Sequence, residues 1–261
     1  MGINQLDFYG HNKVDVAIMR IKEFCPPDGY YLAFSGGKDS VVIYDLALKA
    51  GVLFDAHYNC GIEPAELVRF VRSEYTNVAI EKLPFNFWKL VEEKGLPLRR
   101  RRWCCEYLRE RNGGGRVVMT GVRSDESAGR KKRKILDIGQ KTRFGPAPKY
   151  VLHPIIDWTS DDVWEYIHVN KVKYCSLYDE GFDRLGCVLC PLTSQVKRMR
   201  ELERFPKMAN CWKRATERLY ENKKISSDFI RSWKSWEEMW DWWLGLPDTR
   251  PDENYPCRLF G

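Results

Sequence analysis

Residues 30–51 read YYLAFSGGKDSVVIYDLALKAG, and the order of residue types in this stretch decides which fold we expect for the chain. The apolar run from Tyr31 to Phe34 is typical of a buried β-strand, and the pattern from Ser40 onward is typical of a helix with an apolar face. A serine and two glycines, Ser35 to Gly37, separate the two. The stretch therefore predicts a strand, a glycine-rich turn and a helix in immediate succession.

The turn between this strand and this helix is a candidate anion site. Backbone N–H groups at a helix start attract anions, and the glycine pair at 36–37 lets the main chain approach phosphate oxygens without an obstructing Cβ. Four polar side chains add hydroxyl donors, charge and a contact for Mg²⁺: Ser35, Lys38, Asp39 and Ser40. The turn matches neither G-x-x-x-x-G-K-[ST] nor G-x-G-x-x-G. An ordinary strand-to-helix turn is the alternative interpretation.

The composition of the whole chain narrows the classes of protein to consider. The chain has 261 residues, 44% of them hydrophobic and 13% aromatic, and a formal net charge of +7. These values predict a globular protein with one domain and an appendage, or with two small domains. No apolar run has the length of a membrane span, and MGINQLDFYG lacks the layout of a signal peptide. We therefore expect a cytoplasmic protein with an anionic partner and no membrane partner.

The pattern along the chain changes near residue 156. Before it, short apolar runs (YYLAF, LFDAHY, NVAIEKL, RVVMTGV) alternate with helical patterns (SVVIYDLALKA, PAELVRFVRSEY, NFWKLVEEKG). This alternation predicts an α/β fold with a Rossmann-like parallel sheet of about five strands. Beyond it the patterns are helical. We therefore divide the chain into a nucleotide-binding α/β domain, residues 1–156, and a helical C-terminal region, residues 157–261, which completes the cysteine site described next.

The loops after three predicted strands carry the candidate site residues. Ligands of open parallel sheets bind beyond the carboxyl ends of the strands. Ser35 follows the first strand, Gly61 the second, and Gly121 to Arg123 the fourth. We expect these three loops to lie at one edge of the sheet.

Four of the nine cysteines form a candidate metal site: Cys104, Cys105, Cys187 and Cys190. Four thiolates bind either tetrahedral zinc or an iron–sulfur cluster. The adjacent pair suits one metal ion poorly, because neighbouring side chains diverge, whereas a cubane offers each thiolate its own iron. We favour a [4Fe–4S] cluster, with zinc and with redox-active or merely buried thiols as alternatives. We interpret the remaining cysteines as small buried hydrophobic residues.

Several segments together resemble known families. SGGKDS resembles the pyrophosphate (PP) loop of ATP pyrophosphatases and adenylyl-transferring enzymes. From Tyr30 to Met208 the chain resembles the phosphoadenosine-phosphosulfate (PAPS) reductase family. The segments that carry this resemblance are YNCGIEPAEL, GVRSDESAGRKKRK, HPIIDWTSDDVWEYI, the cysteine pair and the C-x-x-C motif.

The resemblance implies a fold like that of the adenine nucleotide alpha hydrolases, ATP cleavage between the α and β phosphates, and a [4Fe–4S] cluster on the four cysteines. It implies catalytic roles for Ser35, Lys38, Asp39 and Arg123. The residues expected to contact the nucleotide are Ser35, Gly36, Gly37, Lys38, Asp39, Ser40, Gly61 and Gly121. Those expected to bind the substrate are Arg123, Glu126, Arg130 and Arg184.

Two departures from the family pattern bear on the reaction. PAPS and adenosine phosphosulfate (APS) reductases carry a nucleophilic cysteine near the C-terminus in an E-C-G-hydrophobic-H context, whereas this chain ends NYPCRLFG around Cys257. The reductases also tend to have a degraded loop, and here SGGKDS is intact. Both departures favour ATP cleavage, as in the sulfur-modification members that act in DNA phosphorothioation or tRNA thiolation.

Two basic runs adjoin the candidate site, RRRRW at 99–103 and RKKRK at 130–134. They predict either an anion funnel or a solvated face. Arg123 and Arg130 are the better anion ligands, because guanidinium pairs with phosphate or sulfate through two hydrogen bonds. We interpret Glu126 as a substrate-loop residue or as an acid that orients an arginine.

The aromatic residues of the C-terminal region offer a second interpretation of the positive charge. WKRATERLY and SWKSWEEMWDWWLG combine aromatic and charged residues in a way that suits nucleic acid. In the second segment, however, Trp233, Trp236, Trp240 and Trp243 have helical spacing, which favours packing.

We therefore expect an enzyme that cleaves ATP to AMP and pyrophosphate and activates a substrate for sulfur transfer. A PAPS or APS reductase, or a sulfate adenylyltransferase subunit, is the first alternative. A non-catalytic nucleotide- or RNA-binding accessory of a defence or mobile-element complex is the second. The expected ligands are ATP, Mg²⁺ and the cluster. Candidate partners are nucleic acid, a cysteine desulfurase-like sulfur donor and a second copy of the chain.

Overall fold

The computed structural model describes residues 2–6, 9–139, 146–222, 230 and 232–246. The helices are α1 (Lys13–Glu23), α2 (Lys38–Ala50), α3 (Ala65–Glu74), α4 (Phe87–Lys94), α5 (Trp103–Leu108), α6 (Ser160–Val169), α7 (Gln195–Arg204), α8 (Pro206–Asn222) and α9 (Trp236–Leu244). The strands are β1 (Tyr30–Phe34), β2 (Phe54–Asn59), β3 (Ala79–Glu81), β4 (Val117–Met119), β5 (Leu136–Ile138) and β6 (Tyr150–Leu152). Short 3-10 helices lie at Ser124–Glu126, Arg130–Lys132 and Ser176–Tyr178.

The strands form one sheet in the order β3-β2-β1-β4-β6-β5. All neighbouring pairs are parallel except β5 and β6. The predicted α/β class with a parallel sheet is confirmed. The antiparallel edge strand β5 was not predicted. No helix separates it from β6 in the described residues, and consecutive strands need a crossover helix to pair in parallel.

The core of the sheet surrounds β1 and α2. Tyr30, Leu32 and Phe34 of β1 are buried, and most of α2 is buried as well. A central parallel strand reads as a nearly continuous apolar run because both of its faces are covered. Each fully buried Val or Leu side chain contributes about 1.5–3 kcal/mol. Helices α1 and α6 both pack against α2, so the helix that follows the glycine turn has a fixed position.

The chain forms two compact units. The first comprises Met1–Lys82 and Glu106–Gly186, and the second comprises Leu83–Cys105 and Cys187–Gly261. These bounds differ from the division at residue 156, which followed a change of periodicity. Periodicity does not reveal that residues 83–105 pack with helices that follow much later in the chain.

Aromatic rings form the core of the second unit. Trp212 of α8 contacts the rings of Phe87, Trp88 and Trp243 at centroid distances of 5.6, 5.3 and 4.7 Å. Its indole N–H donates to the carbonyl of Val188 at 3.2 Å. Tryptophans 233, 240 and 243 are buried, which agrees with their interpretation as packing residues. Within the described part of the chain, none of the helices combines the length and the apolarity of a membrane span.

Candidate functional site

The predicted loops meet at the point where the strand order reverses. The sheet proceeds from β1 to β2 on one side and to β4 on the other. In open α/β sheets a crevice forms at such a point, beyond the carboxyl ends of the strands. Ser35 follows β1 and Gly121 lies close behind β4, so both line this edge of the sheet. Gly61 lies behind β2, at the same edge.

Two serines hold the shape of the glycine turn. Their hydroxyl oxygens lie 3.2 Å apart, and Ser40 donates to the carbonyl of Gly37 at 2.8 Å. The Gly37 N–H approaches the Ser35 hydroxyl at 3.4 Å. Gly36 has a φ of +71°, and a Cβ there would lie 2.7 Å from a methyl group of Val71. A glycine is therefore required at position 36 by the backbone and by the packing beneath it.

Helix α2 begins at this turn without a side-chain cap of its own. Its N-cap is Gly37, whereas α1, α4, α6, α7 and α9 all begin with a Ser, Thr or Asn whose side chain accepts a backbone N–H. Uncapped N–H groups and the helix dipole favour an anion at such an end. The N–H of Lys38 donates instead to a distant side chain, the hydroxyl of Tyr178, at 2.8 Å.

Two cations flank one carboxylate at the start of α2. Lys38 Nζ lies 3.1 Å from Asp39 Oδ2, and Arg123 Nε lies 2.6 Å from Asp39 Oδ1. Lys38 and Arg123 are both buried. Arg123 also donates to the carbonyl of Trp158 at 3.2 Å. Because both oxygens of Asp39 are paired, this carboxylate orients the two cations, and its expected contact with Mg²⁺ stays a prediction.

The other two predicted glycines have structural reasons to be glycine. A Cβ at Gly121 would lie 2.8 Å from the backbone of Asp39, so the loop after β4 reaches α2 only through a glycine. A Cβ at Gly61 would lie 2.9 Å from Leu108. The N–H of Gly61 donates to Glu63 at 2.6 Å, and the fully buried Glu63 side chain forms an ion pair with Arg109.

The predicted substrate loop is organised by one acid. Glu126 accepts the N–H of Arg123 at 3.1 Å and pairs with the side chain of Arg130. This places Glu126, Arg123 and Arg130 in one group and supports the interpretation of Glu126 as an arginine-orienting acid. Arg184 is exposed; burial raises the pKa of Tyr178 and the positive charge of Arg184 acts in the opposite direction, so this arginine acts on the neighbourhood of the turn.

A buried histidine links the crevice to the edge strand. Nδ1 of His153 lies 2.7 Å from the Thr120 hydroxyl, and Nε2 lies 3.4 Å from the carboxylate of Asp137 on β5. Burial lowers the pKa of His153, while Asp137 acts in the opposite direction. Arg133, from the second basic run, holds the same carboxylate at 3.1 Å. Part of that run is therefore engaged in ion pairs within the fold.

The four predicted cysteines belong to the second unit and lie in one group. A hydrogen bond with Cys105, burial, and the charges of Cys105, Cys187 and Cys190 all raise the pKa of Cys104. Among the described residues, no three His, Cys, Asp or Glu side chains are arranged to hold a single metal ion. The four thiols fit a cluster in the chemistry of the donor set, since each thiolate of a [4Fe–4S] cluster binds its own iron.

A side chain of α7 stabilises the turn of the C-x-x-C motif. Leu189 is buried with a φ of +59°, a rare conformation for a branched side chain, and its N–H donates to the buried carboxylate of Glu201 at 2.7 Å. Burial lowers the pKa of Arg198 to about 10, while the charges of Cys190 and Glu201 raise it. The buried guanidinium of Arg198 thus interacts electrostatically with the cysteine group.

Comparison with known proteins decides the family. The profile of the phosphoadenosine phosphosulfate reductase domain matches residues 29–193, more than half of the chain. The chain belongs to this family. The resemblance to the PAPS reductase family that the motifs predicted is confirmed.

Individual relatives match different shares of the chain. An uncharacterized protein of Methanocaldococcus jannaschii is 34% identical over 233 residues, 83% of this chain, and the chain spans 55% of its length. The adenosine 5'-phosphosulfate reductase of Oceanobacillus iheyensis is 29% identical over 180 residues, 63% of this chain and 71% of the relative. A crystal structure of PAPS reductase from Candida auris, a phosphate complex, aligns with a TM-score of 0.46 and 19% identity over 65% of this chain and 86% of that one.

Sequence reasoning missed two features of this family member's site. Tyr178 reaches the start of α2 from 140 residues further along the chain, and no spacing in the sequence signals that contact. The second feature is His153, to which no motif in the sequence assigns a role. Its place directly after β6, a strand next to β4, is the signal that would have drawn attention to it. Cys257, the remaining candidate, lies outside the described residues.

Proposed function

We propose that the chain binds ATP at the turn from Ser35 to Ser40 and cleaves it to AMP and pyrophosphate, passing AMP to an acceptor that is thereby activated for sulfur transfer. The observation that carries this proposal is the start of α2. A glycine turn without a side-chain cap lies there at the switch point of the sheet, beside the buried cations Lys38 and Arg123.

The geometry supports electrostatic catalysis. In the proposed reaction an acceptor oxygen bonds to the α-phosphorus while the bond from that phosphorus to the bridging oxygen breaks, and negative charge builds on the departing pyrophosphate. Fixed cations and N–H groups that face such charge lower the barrier. Lys38 and Arg123 are already held by Asp39, so they need no reorganisation. No step is assigned to Mg²⁺, whose expected contact with Asp39 stays a prediction.

We further propose a [4Fe–4S] cluster on Cys104, Cys105, Cys187 and Cys190, with each thiolate bound to one iron. The grouping of the four thiols in the second unit supports it. Zinc on the same thiols is the alternative.

Reduction of a sulfonucleotide is the second candidate function. The relationship to the adenosine 5'-phosphosulfate reductase of Oceanobacillus iheyensis favours it. The intact SGGKDS loop and the altered surroundings of Cys257 favour ATP cleavage instead. The acceptor, the nucleic-acid or sulfur-donor partner, the homodimer and the cytoplasmic location all stay predictions.

The test of ATP cleavage begins with a substitution of Gly37, where the fold has room for a side chain. A Cβ at Gly37 would lie 3.4 Å from Ser35 Oγ and 3.5 Å from the Tyr178 hydroxyl, which are ordinary contacts. We expect Gly37→Ala to fold normally but to bind ATP and pyrophosphate about tenfold or more weakly, a loss of about 1.4 kcal/mol, with AMP binding unchanged. Calorimetric titration measures the three affinities.

Two further measurements complete this test. Gly36→Ala, at a position with a φ of +71° and no room for a Cβ, should lower thermal stability as well, which separates damage to the fold from damage to the ligand site. Wild-type protein incubated with ATP should release AMP and pyrophosphate. Equal loss of ATP and AMP binding in Gly37→Ala would show that the loop is only a turn.

A further inference from the structure

The hydroxyl of Tyr178 lies at the mouth of the glycine turn. Its oxygen accepts the N–H of Lys38 at 2.8 Å, in the first turn of α2. It would lie 3.5 Å from a Cβ at Gly37, so it borders the space in front of the turn. The charges of Asp39 and Arg184 both act on this hydroxyl, so the carboxylate at the helix start and an exposed arginine both lie near it.

The hydrogen of this hydroxyl has no acceptor in the described part of the chain. The oxygen uses a lone pair to accept from Lys38, and its own hydrogen bond remains to be donated. Burial raises the pKa of Tyr178 far above neutrality, so the hydroxyl keeps its proton. A donor that is oriented by a backbone N–H and lacks an acceptor suits an anion.

The ring of Tyr178 is fixed by its neighbours. It meets the ring of Trp164 edge-on at a centroid distance of 5.1 Å. Leu177, the preceding residue, is fully buried and anchors the 3-10 helix Ser176–Tyr178. Holding the hydroxyl in place before a ligand arrives reduces the entropy lost on binding.

We propose that Tyr178 is an anion-binding residue of the phosphate loop and that its hydroxyl donates a hydrogen bond to the pyrophosphate portion of ATP. The inference rests on the proposed function and adds a residue to its site. The backbone N–H of Lys38 donates to Tyr178 and is not available to a phosphate. The tyrosine hydroxyl therefore donates to the phosphate in its place. The ligand class is a polyphosphate that reaches beyond the α-phosphate.

Tyr178→Phe tests this inference, with Tyr174→Phe as the matched control. Both tyrosines meet the ring of Trp164 edge-on, but the hydroxyl of Tyr174 bonds to Asp179 at 3.0 Å. We expect Tyr178→Phe to bind pyrophosphate and ATP about tenfold more weakly and to bind AMP as wild type does. Tyr174→Phe should match wild type for all three ligands. Thermal unfolding of both variants reports on the integrity of the fold.

The outcomes separate this inference from the proposed function. Wild-type protein that binds neither ATP nor pyrophosphate would overturn both. Normal binding of both ligands by wild type and by Tyr178→Phe alike would overturn only the role of Tyr178. Tighter binding by Tyr178→Phe would also overturn it, because the hydroxyl would then be a competitor of the phosphate. Equal weakening of pyrophosphate and AMP by Tyr178→Phe would also overturn it, because a contact with the pyrophosphate portion leaves AMP binding unchanged.

Discussion

At the scale of single residues, the site depends on polar side chains that are paired with one another; Lys38 and Arg123 are buried, and the groups that bind them are half-buried. Asp39 binds two cations, Glu126 organises two arginines, and Tyr178 accepts the N–H of Lys38. Removing one member of such a pair costs more than the net contribution of the pair to folding, because the other member loses its partner and is partly shielded from water. Substitutions at these positions should therefore be read for stability as well as for ligand binding.

His153 should make folding stability depend on pH. The pKa of this histidine falls below its ordinary value of 6.5 on folding, because burial and the charges of Arg133 and Arg130 outweigh Asp137. As pH falls below 6.5, the unfolded chain takes up the proton first, so the free energy of unfolding decreases until the lower folded pKa is passed. We expect His153→Asn to show a smaller decrease between pH 7.5 and 5.5, the two ends of the window around that value.

Urea unfolding at several pH values measures this difference. Thr120→Val is the control, because it removes the hydroxyl partner of His153 and leaves the buried imidazole to titrate. It should keep most of the wild-type slope. The same slope in wild type and His153→Asn would mean that another group causes the pH dependence.

At the scale of secondary-structure elements, the helices differ in whether a side chain caps the backbone N–H groups of the first turn. Helices α1 and α6 begin with capping boxes, in which the side chains of Asn12 and Thr159 satisfy backbone N–H groups. Helix α2 has no such cap and begins at the crevice. A cap contributes about 1 kcal/mol, so α2 forgoes that stabilisation where an anion is expected to bind. Packing against α1 and α6 compensates for it.

The C-x-x-C turn should depend on α7. Glu201→Ala would leave the buried N–H of Leu189 without its carboxylate, at a cost of about 1–3 kcal/mol. We expect lower thermal stability and less bound iron per chain, because the turn presents Cys187 and Cys190. Glu201→Gln, which keeps an acceptor oxygen, should recover part of both.

Glu203→Ala is the matched control for this prediction. Glu203 lies two residues further along the same helix and is exposed. Its replacement should change neither stability nor iron content. Glu201→Ala protein with full iron content and normal stability would contradict the role assigned to α7.

At the scale of the whole molecule, the two candidate chemistries fall in different units. The sheet and the glycine turn belong to the first unit, and the four cysteines belong to the second. A variant of the glycine turn can therefore be tested for ATP binding with its iron content as an internal control. A variant of a cysteine can be tested for iron content with ATP binding as the control.

Anaerobically purified protein should be brown and contain about four irons and four sulfides per chain, as a [4Fe–4S] cluster requires. Cys187→Ser and Cys190→Ser should lose the colour, because a hydroxyl is a poor iron ligand, and should keep ATP binding by the first unit. Absorption spectra with iron and sulfide analysis measure this. Colourless wild-type protein with one zinc per chain would decide for the alternative metal.

The chain should not release sulfite from PAPS or from adenosine 5'-phosphosulfate in the presence of thioredoxin. That chemistry requires a nucleophilic thiolate on the C-terminal tail, and the residues around Cys257 lack the Glu, Gly and His of the reductase pattern. Sulfite formation by wild type and by Cys257→Ser is the measurement. Sulfite from wild type, abolished in the variant, would favour the reductase function over ATP cleavage.

The sequence by itself determined the succession of strand, turn and helix in residues 30–51, the parallel sheet and the family. These features depend on local periodicity and on residue types at fixed spacing, which can be recognised in the sequence without knowledge of distant contacts. The glycine at position 36 was predictable as part of the turn. The adjacent cysteine pair and the C-x-x-C motif singled out the cysteine set from the sequence alone, and the metal that it binds stays a prediction.

Only the tertiary structure decided which distant groups meet. Tyr178 reaches Lys38 across 140 positions of sequence, Arg123 reaches Asp39 across 84, and His153 reaches Thr120 across 33. The packing of residues 83–105 with the later helices and the antiparallel β5 were decided in the same way. Local preferences carry no information on such contacts, because each depends on how separate elements are packed and oriented around a shared core.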